Sequence, residues 1–437
     1  MPAPTVKLSE TLPPLIFGTA TFNFQFNPDP FALPTTHLVH RALSLGVRAF
    51  DTSPYYGPAE ELLGAALDTD FVRSHFPRSS YHILTKVGRL AASEFDYSPS
   101  WVRHSVRRSL RRLRTSYLDV VYCHDVEFVS AAEVLEAVKE LRRIRDDNGT
   151  VKYVGISGYP VHILCDLAEL VLRETGEPLD VVMSYANYTL QNTRLRTEGI
   201  PRLVAAGVDI VPNASLLGMG LLRRQGVPVG AMGNWHPAPD ELRTAIHFAS
   251  QWTDRQGEKL EVVAVRFALE SWLREGSTAG AYGDLLGSSD AAYSTAFTTR
   301  EKLGVSVMGV SKLEELDETM RVWRSVLDGF ADDVDEVPGS MTPSDALSDH
   351  EWSLQRRQRI RMLAKGIRGI VGGYADFTWE SPGKGFVNQR MVKGVIDEEE
   401  RPLTVVEGPA AMLTPPAEAD DDGIADDVAP LECTVGT

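Results

Sequence analysis

Short apolar runs rich in β-branched residues return through the first half of the chain at nearly even steps. They are Leu15–Ala20, Val47–Ser53, His82–Gly88, Asp119–Asp125, Val151–Gly158, Asp180–Tyr185 and Val208–Ser215, with starts separated by 32, 35, 37, 32, 29 and 28 residues. Between them the apolar positions take a helical rhythm. Val102, Val106, Leu110 and Leu113 share one face of Ser100–Leu113, Val134, Leu135, Val138, Leu141 and Ile144 share one face of Ala131–Ile144, and Thr36–Leu45 reads the same way. Strands apolar throughout need cover on both faces, so the alternation predicts a buried parallel sheet flanked by helices. With an eighth run, Val305–Ser311, the units fit an α/β fold of the closed (β/α)8 TIM-barrel type, which takes about 250 residues. The competing architecture is a doubly wound open sheet. That fold carries a Gly-rich fingerprint after its first strand, whereas here the first strand ends Ile16-Phe-Gly-Thr-Ala20.

The rhythm breaks between Ser215 and Val305. A long loop, Gly218–Pro239, precedes two helical stretches, Asp240–Arg255 and Leu260–Arg274. Loops of this length are usually functional or without structure, and this one reads as functional. Gly276–Thr299, rich in Gly, Ala, Ser and Thr, reads as a surface insertion without structure of its own. The barrel is assigned to residues 1–330 and a C-terminal extension to 331–437. Within the extension, Asp332–Asp349 is acidic, a basic amphipathic helix begins near Glu351 and runs to Ile370, and Gly372–Arg390 carries Tyr374, Phe377, Trp379 and Phe386. Those aromatics suit docking on the barrel. A solvated helix is favoured over a membrane- or calmodulin-binding one for the basic segment. From Glu398 onward the acidic, Pro- and Ala-containing tail lacks the apolar surface to fold.

Between Asp397 and Thr437 there are twelve acids and one base, so −11 of the formal charge of −16 lies on the tail and −5 on the first 396 residues. A mildly acidic body does not suit nucleic acid, which requires a basic footprint. No apolar run reaches membrane-spanning length and the N-terminus shows no secretory leader, so a cytoplasmic protein is expected. Cys123, Cys165 and Cys433 are far apart and odd in number, which predicts reduced thiols and no metal site.

Catalytic groups in such barrels come from the C-terminal ends of the strands. Three successive strands end in polar residues: Asp51, Lys86 (in ILTKVG) and His124 (in DVVYCHD). Neighbouring strands lie roughly 4.8 Å apart, which brings the three together. Tyr56 follows Asp51 by five residues in a loop bounded by Pro and Gly, within reach of the same patch. Each residue alone has a structural explanation: a satisfied histidine, a barrel-mouth ion pair, a packed tyrosine. Together they make an acid/base device. A cation beside a phenol lowers its pKa from about 10, Asp51 would hold Lys86 charged, and His124 would orient a carbonyl or hydroxyl.

These segments, FDTSPYYG, ILTKVG and DVVYCHD, resemble the catalytic motifs of the aldo-keto reductase family, and the resemblance runs from about Leu15 to Met320. It implies Tyr56 as proton donor and acceptor, Lys86 as the group that tunes it, Asp51 as the partner of Lys86, and His124 as the substrate-orienting residue. It also implies a nicotinamide cofactor held at Gly18, Thr19, Ser157, Ser184, Ser215, Leu217, Gly220, Gly309, Val310, Ser311 and Glu315. Gly158 stands where the family has Asn, and Ala214 where it has a stacking Tyr. The run Ala214-Ser-Leu-Leu-Gly-Met-Gly-Leu-Leu222 with Trp235-His-Pro-Ala238 is similar to the branch that oxidises aldoses such as D-arabinose or L-galactose at C1 to the lactone. Tyr55, His124, Trp235 and His236 are then the expected sugar contacts. A Glu at 315 repels a 2′-phosphate and accepts from a ribose hydroxyl, so NAD is expected over NADP, with Lys312 as a nearby cation. Two other readings stay open: a general NADPH-dependent carbonyl reductase, and a non-catalytic barrel subunit that regulates a partner.

Overall fold

Eight parallel strands close on themselves in chain order: β1 (Leu15–Gly18), β2 (Ala49–Asp51), β3 (His82–Val87), β4 (Leu118–His124), β5 (Val151–Gly158), β6 (Val181–Tyr185), β7 (Asn213–Ala214) and β8 (Ser306–Gly309), with β8 pairing back to β1. This is a computed structural model, and it describes residues 6–230, 233–234, 236–283, 302–331 and 350–396. The helices are α1 (Thr35–Ser44), α2 (Ala59–Leu67), α3 (Asp70–His75), α4 (Pro99–Arg112), α5 (Ala131–Asn148), α6 (Val161–Thr175), α7 (Ile200–Ala205), α8 (Asp240–Arg255), α9 (Leu260–Glu275), α10 (Leu313–Ala331) and α11 (His350–Val371). The element most altered from expectation is the Val208–Ser215 run. Pro212 has no N–H to give to the ladder, so only Asn213 and Ala214 form strand, while Ile210 keeps a single bridge to Val181.

The strands are apolar on both sides because each side meets a different core. In β4, Val120 and Tyr122 face the lumen cluster, whereas Val121 and Cys123 pack under the outer helices. The same period of two puts Ala49 of β2, Leu84 of β3, Tyr153 of β5 and Val307 of β8 in the lumen. Below them Leu8 and Leu12 plug the bottom, and Asp209 fixes this plug by accepting from Ser9 N at 2.8 Å and Ser9 Oγ at 2.7 Å. Local signals agree with the boundaries. Ser130 and Glu133 form a capping box on α5, which ends at Gly149 in the left-handed region.

The first part of the supposed surface insertion belongs to this floor. Ala279 and Ala281 are buried, Ala281 bridges to Leu303, and Tyr282 N donates to Ser9 O at 2.6 Å. Residues 284–301 lie outside the described ones, as do 332–349 and the acidic tail from Asp397.

The basic helix α11 has one buried face. Ile360, Leu363, Ile367 and Val371 join Leu242, Ile246, Leu260 and Val263 of α8 and α9 in a separate apolar cluster. Beyond it, residues 372–396 run as a strap over the βα loops. Gln191 Nε2 donates to the carbonyls of Tyr374 and Phe377, Asp376 accepts from Thr193 N and Oγ1, and the Asn388 side chain bonds both N and O of Phe95. Phe386 packs edge-on against Phe95 and Phe128. None of the described helices is long and apolar enough to cross a membrane.

Candidate active site

The lumen phase that carries Ala49, Leu84 and Tyr122 also carries Asp51, Lys86 and His124, each two residues further along its strand. All three therefore point inward at the C-terminal mouth, and all three are buried. Lys86 Nζ donates to Asp51 Oδ1 at 2.7 Å and to Thr52 O at 2.8 Å. Burial works against the Lys86 charge, but Asp51 and Tyr56 outweigh it, so its pKa is raised and it stays an ammonium. That ammonium lies 4.8 Å from the Tyr56 ring centroid, and the Tyr56 ring meets His124 edge-on at 5.7 Å. The four residues thus form one group.

The proton affinity of Tyr56 departs from expectation. Burial pushes the phenol up more strongly than Lys86 pulls it down, and it rests at about 12. Lys86 moderates the desolvation cost without reversing it. His124 goes the other way. Burial, with Lys86 and Arg89 nearby, lowers its pKa to about 3 against the pull of Asp125, so the ring is neutral. Its Nε2 lies 3.5 Å from Asp125 Oδ2 without a hydrogen bond between them, and with Nδ1 taken by the Ser53 hydroxyl the ring hydrogen falls on Nε2. Nδ1 then accepts from the Ser53 hydroxyl at 3.1 Å, and Ser53 Oγ in turn accepts from Tyr55 N at 3.1 Å. Tyr97 Oη donates to His124 O at 2.5 Å and fixes the strand end. A neutral imidazole with its donor in the mouth can bind a carbonyl or hydroxyl oxygen.

The expected cofactor residues line the same mouth. Gly18 pairs with Gly309 across β1 and β8, and a Cβ on Gly309 would lie 3.1 Å from Gly18 O. Thr19 Oγ1 donates to Asp51 O at 3.1 Å. On the opposite side Ser157 is paired with His124, and Gly158 with Ser184, whose Oγ accepts from Asn187 Nδ2 at 3.0 Å. Ser215, Gly218, Met219 and Gly220 all have positive φ, and Ser215 Oγ accepts from Met219 N at 3.0 Å, in a turn that includes the half-buried Leu217. After β8, with Val310 buried, Glu315 Oε2 accepts from Ser311 N at 2.8 Å and puts a carboxylate at the start of α10. Buried Asp51 Oδ2 and Asn213 Oδ1 have no partner among the described residues. Hydroxyls and unused acceptors beside a glycine-lined strand edge suit a nicotinamide cofactor.

One expected sugar contact, His236, is not in this group. His236 is buried, with Nε2 on Gly218 O at 3.0 Å and Nδ1 accepting from Ala238 N at 3.0 Å. It fastens the Ser215–Gly220 turn from behind, because both ring nitrogens are consumed by backbone. Trp235 lies outside the described residues. Tyr55 does reach the site, edge-on to His124 at 5.9 Å. The Gly158 departure has a physical cause: a Cβ there would lie 2.4 Å from Oε2 of buried Glu127. Glu127 was not singled out in the sequence, and neither were Arg89 and Asp125. Their only signal is adjacency, Arg89 three residues past Lys86 and Asp125 directly after His124.

Residues 14–337 match the Aldo/keto reductase family. The chain belongs to that family. It is thus an oxidoreductase of the kind that uses a nicotinamide cofactor. The chain is similar to a D-arabinose 1-dehydrogenase of Saccharomyces cerevisiae, 43% identical over 265 residues, which are 60% of this chain and 77% of that protein. It is also similar to an L-galactose dehydrogenase of Arabidopsis thaliana, 35% identical over 58% of this chain and 75% of that protein. Among solved structures, an aldo-keto reductase of Bacillus halodurans in its holo form superposes with a TM-score of 0.50 at 19% identity, covering 82% of this chain and 95% of the other. That likeness shows the shared fold.

Proposed function

We propose that the protein is an NAD-dependent aldose 1-dehydrogenase that oxidises D-arabinose, or a related sugar such as L-galactose, at C1 to the aldonolactone. The observation that carries this reading is the complete Tyr56, Lys86, Asp51 and His124 group in a chain 43% identical to a D-arabinose 1-dehydrogenase. A nicotinamide cofactor, when bound, supplies the hydride acceptor. The chain's own residues do the rest. The neutral His124 donates from Nε2 to the C1 oxygen and holds it towards Tyr56. Tyr56 takes the hydroxyl proton, and Lys86, kept charged by Asp51, stabilises the phenolate form. Ser157 and Ser184 hold the carboxamide end, and the Gly18–Gly309 edge and the Ser215–Gly220 turn admit the rest of the cofactor. Glu315 disfavours a 2′-phosphate by like-charge repulsion.

The test is a panel of aldoses assayed with NAD and NADP in parallel, with the product identified as lactone. Turnover of D-arabinose with NAD above all other pairs is expected. Activity confined to NADPH-driven aldehyde reduction would sink the reading.

A further inference from the structure

Arg89 and Asp125 form a buried ion pair directly beside the acid/base group, and the chemistry assigned so far does not use it. Arg89 Nη1 donates to Asp125 Oδ2, and Arg89 Nη2 donates to the Tyr55 hydroxyl at 3.1 Å. The guanidinium stacks 3.9 Å from the Tyr55 ring centroid and is backed by Phe95 and Phe128 at 5.4 and 5.5 Å. Asp125 takes a left-handed backbone, with φ of 55°, immediately after the strand that ends in His124. That turn brings its Oδ2 to 3.5 Å from His124 Nε2, the donor assigned to the reacting oxygen. Both contacts fall on Oδ2 and leave Oδ1 for a ligand's donor. A left-handed non-glycine residue and a buried charge pair are each costly, and such features collect where a ligand is held.

We propose that Arg89, Asp125 and Tyr55 form a polyol-recognition subsite, in which the Asp125 carboxylate accepts from a hydroxyl on the carbon next to the reacting carbon. This rests on the aldose reading and gives it a basis for specificity. A simple aldehyde would leave the carboxylate facing apolar surface, whereas a sugar supplies the missing donor. Sites built to bond a hydroxyl reject the analogue lacking it by far more than a missing methylene costs. Asp125 is therefore a specificity residue beyond the four that handle the proton.

The experiment measures kcat and KM for the wild type, Asp125→Asn, and the Arg89→Gln/Asp125→Asn double variant, which removes both buried charges if the single variant folds poorly. D-arabinose is compared with its 2-deoxy analogue under NAD, and glyceraldehyde with propanal under NADH. The first comparison depends on aldose oxidation. The second reads the hydroxyl preference even if the wild type oxidises no aldose, so failure of the functional reading and failure of the subsite are separable. The wild type is expected to favour the hydroxylated member of each pair by roughly 10⁴-fold, and the variants to lose that preference because kcat/KM for the hydroxylated member falls, through a raised KM, far more than kcat/KM for its partner. A preference retained in the variants, or an equal loss of kcat on glyceraldehyde and propanal, overturns the proposal and reduces Asp125 to a support for His124.

Discussion

Burial and charge pull the Tyr56 proton in opposite directions, and their balance was not legible in the sequence. The strand phase is: Asp51, Lys86 and His124 follow from a period of two measured from Ala49, Leu84 and Tyr122. The resting phenol near 12 is not, because the desolvation comes from packing by distant residues. The same blindness applies to His236, whose orientation is set by the Gly218 carbonyl eighteen residues away. Glu315 was easier to read, since a carboxylate in the first turn of a helix was visible as Leu313-Glu-Glu-Leu316. It yields a residue-scale expectation. Glu315→Arg should move the NADP to NAD ratio of kcat/KM upwards by about tenfold or more, because a bidentate cation replaces a repelling anion. A ratio that stays at the wild-type value would remove Glu315 from the cofactor site.

At the scale of elements, α11 and the strap make the extension part of the barrel's architecture. Leu363 is fully buried between α8, α9 and α11, so Leu363→Ala should cost about 2–5 kcal/mol, read as a lower denaturant midpoint. An unchanged midpoint would mean that α11 is not docked. The strap also meets the site's rim through Ser381, whose hydroxyl donates to Glu127 Oε1 at 2.9 Å, and through Trp379, stacked 4.7 Å from Tyr159. Burial, with the nearby Asp125 charge, raises the Glu127 pKa above its ordinary 4.5. The folded state therefore binds this proton more tightly than the unfolded chain. The stability it contributes is complete below the ordinary glutamate range and is lost as pH rises through the raised value. Glu127→Gln, which stays neutral and keeps its acceptor, should flatten the fall in Tm from mildly acidic to mildly alkaline pH; a slope equal to the wild type's would contradict this. The aromatic run made docking of residues 372–390 an expectation, but the path was hidden. Its contacts join residues as far apart as Phe95 and Asn388, which no local periodicity reports.

At the scale of the whole molecule, the regular spacing of apolar runs was enough for the barrel, because closure needs only eight strands buried on both faces. The site sits where such barrels place their chemistry, at the strand ends, and the extension crosses that same face. The floor was misread. Small residues from Gly276 to Gly283 look like a surface loop, yet they pack closely: a Cβ on Gly280 would lie 2.3 Å from Leu303 O. Composition reports polarity and size but not close approach. The acidic tail and the mildly charged body are separate in the sequence, and every residue assigned to the proposed reaction lies in the body.

The central claim is that Tyr56 is the proton acceptor in aldose oxidation, and the pH dependence of NADH formation from D-arabinose, in the wild type and in Tyr56→Phe, tests it most directly. A phenol with a raised pKa is mostly protonated at neutral pH, so the wild-type kcat/KM should climb with pH from neutrality into the alkaline range. Tyr56→Phe should fall by about 10²–10⁴-fold and lose that climb while still binding NAD. A variant that keeps the wild-type rate and pH profile would contradict the claim.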